Sequence, residues 1–214
     1  MLSACRSDFY LMKSTVRFYL IAQIFLFFIA HLYDSQYLYL FYPTLTAIML
    51  SLSTNLQSAS TGFAGILLSS PLSRKNIVIG RYLFLLGFSI PVVILSSAVM
   101  FILKDATAYE TIRLILIFST IIITLQSVFT PLTYMLKPNY ITIAFFTIFF
   151  APAIIVMLLK PFLERSNFDI ENLISTIESI YNSLTALSLI LLASLILLAI
   201  SMIISIAVFN KKEF

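Results

Sequence analysis

Few side chains in this sequence could do chemistry on another molecule, and none has the company that catalysis needs. His31 is the single histidine and Cys5 the single cysteine. A serine nucleophile would need a base, and no second imidazole exists to supply one. The sequence holds no HExxH, no Cys/His cluster, no GxSxG and no pair of carboxylates inside an apolar run. It also lacks GxxxxGK[ST], so it cannot cradle a nucleotide with a phosphate-binding loop of its own. The expectation is a chain with no catalytic residue, no metal and no cofactor; any ATP and Mg would belong to another polypeptide. Cys5, lacking a partner, reads as a reduced thiol. Gln23 and Gln126, amides well inside long apolar runs, read as path-lining groups or as interhelical hydrogen-bond donors.

One segment breaks the monotony of the apolar runs. GILLSSPLSRKNIVIGRYL (65–83) places a proline before a basic stretch. A proline pushes the residue before it out of the α region, so Pro71 marks a helix stop. Ser73 is then a good N-cap for a short helix containing Arg74, Lys75, Asn76, Ile77 and Val78. Ile77 and Val78 would face a partner's groove or the bilayer surface, Gly80 would permit a turn, and Arg81 with Tyr82 would anchor the next element. Read without this chemistry, the segment is an ordinary basic loop.

The elements that must position such a loop are membrane spans. The chain is 61% hydrophobic and 10% charged, against about half apolar and a quarter charged in a soluble domain. Charge-free windows long enough to cross a bilayer place six spans at about 17–33, 37–54, 82–103, 113–136, 139–160 and 184–208. Their length excludes the alternating ten-residue strands of a β-barrel. The first apolar run is long and lacks a small-residue cleavage site, so it is expected to stay as a span. Residues 1–16 read as an interfacial helix, with Phe9, Leu11, Met12 and Val16 buried while Arg6, Asp8 and Lys13 stay wet. The fold class is therefore an all-α membrane protein. It is one domain over 1–214, with six transmembrane helices, an N-terminal interfacial helix and a short cytoplasmic coupling helix in the 65–81 loop. Prolines 43, 91, 131 and 152 fall inside four different spans and imply kinks or freed carbonyls.

Charge sets the orientation. With the N-terminus inside, the cytoplasmic segments carry nine of the thirteen basic residues but only Asp8 and Glu213 of the nine acids. The basic bias obeys the positive-inside rule, so both termini are cytoplasmic and the net charge of +4 reflects topology rather than nucleic-acid binding. Ionisable groups inside spans mark relays and ion pathways. Here only His31 qualifies, near the outer end of the first span, which disfavours an ion-coupled carrier or channel.

The string LLSSPLSRKNIVIGRYL resembles the hallmark of small Gram-positive ABC exporter permeases of the type-two superfamily. Their pattern, roughly Leu-Pro-(Val/Ile/Leu)-(Ser/Lys)-Arg-(Lys)-x-Ile-Val-x-x-(Lys/Arg)-Tyr, maps onto Pro71, Leu72, Ser73, Arg74, Lys75, Asn76, Ile77, Val78, Arg81 and Tyr82. The start SDFYLMKS (7–14) is similar to the family's opening, with Asp8, Phe9, Tyr10 and Lys13 matching. Relatives carry acidic and lysine residues just upstream of the loop, where NLQSASTGFAG (55–65) has no charge.

The resemblance implies that residues 65–82 dock as a coupling helix on a separate ABC ATPase, two copies of which drive a pair of permease subunits, identical or not. It implies a multi-pass protein of the bacterial plasma membrane, surrounded by lipid, exporting a hydrophobic or amphipathic cargo. In the external segment 161–183, Leu173, Ile174 and Ile177 recur at helical spacing with Glu171 and Glu178 off that face. The resemblance makes them candidates for an exit gate. A membrane scaffold or immunity protein that binds a partner without transporting anything is the reading from another class.

Overall fold

A computed structural model describes residues 2–32, 44–46, 49–50, 53, 73–102, 107–136, 140–144, 147, 154–155, 157–158 and 179–211. Regular structure among them is helical throughout. Four long helices carry the architecture: α1 (Leu2–Leu32), α2 (Arg74–Ile102), α3 (Ala108–Met135) and α4 (Leu184–Lys211). All four are long and apolar enough to cross a membrane. In lipid every backbone N–H and C=O must be satisfied within the segment, which leaves the helix as the form such runs adopt. At 28–31 residues each is about 42–46 Å long, more than a hydrocarbon core of about 30 Å requires.

Two expected boundaries disappear. Residues 1–16 and 17–33 were expected as separate elements, yet α1 runs unbroken from Leu2 to Leu32. No Gly or Pro interrupts that stretch, so nothing in the backbone favours a break. The separate coupling helix with a turn at Gly80 is likewise corrected. Residues 74–81 are the first two turns of α2, and Gly80 is a buried position inside it. A single glycine in a helix costs only about 1 kcal/mol relative to Ala, too little to end one that packs on both sides. The expected spans at 37–54 and 139–160 fall largely outside the described residues.

Contacts fix the directions. Phe27 of α1 packs near Val93 and Met100 of α2, while Met12 and Val16 meet Phe84 and Leu85. So α1 and α2 run the same way. Leu114 of α3 shares a cluster with Met100, whereas Tyr134 meets Ile77 and Val78, so α3 returns. Phe209 near the end of α4 joins Tyr134, so α4 runs with α3. The starts of α1 and α2 and the ends of α3 and α4 thus gather at one end of the bundle. It carries Lys13, Arg17, Arg74, Lys75, Arg81 and Lys211, and is called the basic end below. At the opposite end Thr107 and Glu110 form a capping box that starts α3: the Glu110 amide donates to the Thr107 hydroxyl at 3.3 Å and the Thr107 amide donates back to Glu110 Oε2 at 2.8 Å.

α4 shows how the interior is chosen. Its buried residues are Leu187, Ser194, Ser201, Ser205 and Phe209, while Leu189, Leu192, Ile196, Ile200 and Ile203 face outward. In a bilayer, lipid is as apolar as Leu, so packing favours small and hydroxyl residues on the inside. The proline of α3 is accommodated in the same way. Pro131 lacks the N–H that would bond the carbonyl of Ser127, and the Ser201 hydroxyl donates to that carbonyl at 2.6 Å.

Candidate functional site

The first two turns of α2 hold the other three helices together. Ser73 caps the helix, accepting from the Asn76 amide through its Oγ at 3.3 Å and from the Ile77 amide through its carbonyl at 3.2 Å. That is the N-cap the sequence predicts, because a hydroxyl there satisfies an otherwise orphaned amide. Arg74 Nη1 donates to the carbonyls of Asn210 at 2.8 Å and Phe209 at 3.4 Å, in the last turn of α4. These carbonyls have no intrahelical partner, and a cation there also opposes the negative end of the helix dipole.

Arg81, about two turns further along the same helix, reaches a different neighbour. Its Nη2 donates to Asp8 Oδ1 of α1 at 3.4 Å, and its guanidinium sits 5.9 Å from the ring centre of Tyr134 of α3. Asp8 is 2% exposed and Arg81 6%. Burial pushes the Asp8 carboxyl above its ordinary range, with Arg81 drawing it back only in part. Next to Arg81, the Tyr82 hydroxyl lies 2.7 Å from Ser201 Oγ and 2.9 Å from Ser205 Oγ of α4. The Tyr134 and Phe209 rings, tilted by 59° with 5.2 Å between centroids, close the cluster.

The residues expected to dock a partner therefore divide. Ser73 and Lys75 are exposed; Arg74 and Asn76 are half-buried. Ile77 and Val78, expected to face a partner's groove or the bilayer surface, are 3% and 0% exposed among Tyr82, Tyr134 and Phe209. The reason is continuity: once these turns belong to a span, the face at 77, 78, 81 and 82 becomes the face that packs on α3 and α4. Pro71 and Leu72 lie outside the described residues. On α1, Met12 and Val16 bury as expected, but Asp8 buries with them and Phe9 is exposed. The sequence signal for Asp8 was its placement, an acid among the basic residues of one side. The two strings that carry the family resemblance, 73 residues apart, meet through this pair.

The two amides differ. Gln126 Nε2 of α3 donates to Ser89 Oγ of α2 at 3.1 Å, an interhelical bond as the plainer reading predicts. Gln23 is buried, and neither of its amide atoms has a partner among the described residues. Such bonds contribute on average about 0.6 kcal/mol in membrane proteins. Gln126→Leu is accordingly expected to change unfolding in mixed micelles by less than about 1 kcal/mol. A larger loss would mean that Gln126 does more than join α2 to α3.

At the opposite end, Arg113 of α3 donates to Asn182 Oδ1 at 2.8 Å and lies 4.8 Å from the Tyr181 ring centre. The Tyr109 hydroxyl donates to the Asn182 carbonyl. Ser183 then caps α4 through the Ala186 amide at 3.3 Å. These contacts tie the lead-in of α4 to α3; Leu173, Ile174 and Ile177 fall outside the described residues. Among the described residues no three His, Cys, Asp or Glu side chains come together to hold a metal ion.

Comparison with known proteins adds one finding. The family model described as ABC-2 family transporter protein matches residues 5–210. No curated protein and no solved structure matches the chain.

Proposed function

Since the chain belongs to the ABC-2 transporter family, a membrane family that works with an ABC ATPase, we propose that it is the permease subunit of an ATP-driven exporter. The observation that carries the reading is the start of α2. It presents Ser73 and Lys75 outward while Arg74, Arg81 and Tyr82 grip α4, α1 and α4 again. A force applied at Ser73 and Lys75 reaches every long helix of the bundle through contacts already made. This suits a docking element whose ATP chemistry, with its Mg, takes place in the partner rather than here.

The finer architecture follows from the same bundle. α1 and α2 both start at the basic end, and α3 and α4 both finish there. The chain therefore passes from one end of the bundle to the other between Leu32 and Ser73, and again between Leu136 and Ser183, which supports six crossings. The basic end is cytoplasmic by the positive-inside rule. We take the unit to be a dimer of permeases, identical or not, with two ATPases in a bacterial plasma membrane. The cargo we favour is apolar or amphipathic, because the buried Gln126 amide bonds Ser89, and Ser201 and Ser205 bond Tyr82, across helix interfaces.

Purification of the tagged protein in mild detergent, with mass spectrometry of what accompanies it, tests the reading. A stoichiometric P-loop ATPase is expected. Lys75→Glu should weaken its retention about tenfold, equivalent to about 1.4 kcal/mol. Lys13→Glu, on α1, should leave it bound. A clean preparation without ATPase under gentle conditions would instead favour a non-transporting scaffold or immunity protein.

A further inference from the structure

We propose that Asp8 and Arg81 are positioning residues that make the start of α1 and the start of α2 move as one body when a partner acts on α2. This rests on the permease reading above. Three observations carry it.

The pair joins α1 to α2 through polar groups at the basic end, at 3.4 Å, and both side chains are almost completely buried. A buried guanidinium keeps its charge at any physiological pH, so separating the helices would take the Asp8 carboxyl away from a buried cation. Sliding one past the other is therefore strongly opposed. Second, the apolar contacts beside the pair have the same span. Met12 and Val16 of α1 interlock with Phe84 and Leu85 of α2 and with Leu50. The joint thus has a charged pin and a packed flank, and closely packed interfaces respond as discrete arrangements rather than by gradual deformation.

Third, Arg81 lies within two turns of Lys75 on the same unbroken helix, which Ser73 caps. A tilt of that helix start is transmitted to Arg81 without an intervening hinge. α1 in turn has no Gly or Pro between Leu2 and Leu32, so whatever is done to Asp8 is done to the whole span. The N-terminal helix then acts as a moving part of the transporter rather than as a passive anchor. A staple that held α1 to a stationary α2 would need neither the continuity of α2 with the docking residues nor that of α1 with its span.

Spin labels at Ser14 of α1 and Leu83 of α2, both exposed positions, test the joint in the ATPase-bound complex. In the otherwise native protein the label distance is expected to be the same without nucleotide and with ATP trapped by orthovanadate. In the doubly neutral variant Asp8→Asn with Arg81→Gln, the distance should shift on trapping by about 1–2 Å or broaden, the scale of helix shifts in switching proteins. The charge-swapped variant, Asp8→Arg with Arg81→Asp, should return the nucleotide-independent distance. A native distance that moves with nucleotide overturns the proposal, as does a neutral variant that behaves like the native protein. ATPase content of each sample is read separately. A failed joint (ATPase bound, distance shifted) is thereby distinguished from a failed permease reading (ATPase missing), and either result overturns the proposal.

Discussion

Asp8→Asn is expected to destabilise the bundle by about 3–5 kcal/mol, because it removes one partner of a buried ion pair and leaves the other charged. Arg81 is 6% exposed and cannot shed its proton, so the stranded charge stays. Arg81→Met should cost less. The carboxyl left behind at Asp8 can take up a proton, which its burial already favours. That escape gives the Arg81→Met variant a distinct pH profile. A carboxyl whose folded pKa is raised above its unfolded value contributes stability below the unfolded pKa. It loses that contribution as pH rises through the folded one. The variant should therefore weaken as pH rises above the ordinary carboxylate range of about 4, more steeply than the parent, in which Arg81 offsets part of the rise. Replacing both residues together, Asp8→Leu with Arg81→Met, should recover most of the loss, since a whole buried pair is often exchanged for apolar packing at no net cost. Unfolding by a denaturing detergent in mixed micelles reads all three. Equal losses for Asp8→Asn and Arg81→Met at neutral pH would show that the pair does not act through its charges.

The second large effect is expected where α3 and α4 meet. Ser201→Ala removes the hydroxyl that donates to the Ser127 carbonyl at 2.6 Å and contacts Tyr82 at 2.7 Å. Leaving a buried carbonyl unsatisfied costs about 1–3 kcal/mol. The cost should depend on Pro131, because that proline is the reason the carbonyl is available. In a Pro131→Ala background the new amide of residue 131 can return the bond within the helix. Ser201→Ala should then lose only its Tyr82 contact. A double-mutant cycle is expected to show a coupling of about 1 kcal/mol, in the range for groups that share a partner. Strict additivity would mean that Ser201 and Pro131 are neighbours without being linked.

Both effects mark what the sequence leaves hidden. Charge-free windows were enough to locate α2, α3 and α4, because lipid imposes length and apolarity on each span independently of its neighbours. The freed carbonyl at a proline was also foreseeable, since it follows from the missing N–H of Pro131 alone. What took it up was not, because Ser201 lies 74 residues away and any hydroxyl on a facing helix would serve. The docking string was legible as a string, and Ser73 caps as expected. Its inward face was misread because Ile77 and Val78 look the same whether they meet a partner, lipid or the bundle's own core. Asp8 was placed in water for a similar reason: hydrophilicity describes a side chain's preference, and only a partner such as Arg81 overrides it. α4 gave the least internal signal. It is apolar all round, so only the smallness of Ser194, Ser201 and Ser205 betrays its buried face.

The contacts at the basic end also set a timetable for biosynthesis. Asp8 leaves the ribosome 73 residues before Arg81, a wait of roughly 4–15 s at about 5–20 residues per second. During that interval α1 must enter the membrane with an acidic side chain at its edge and without Arg81, held by whatever insertion machinery receives it. Tyr82 waits longer still, since Ser201 follows it by 119 residues. The helix that brings Ser201 is the most apolar of the four, with a mean hydropathy of 2.9 in its span window. It can enter lipid without help and then close the bundle on partners already in place.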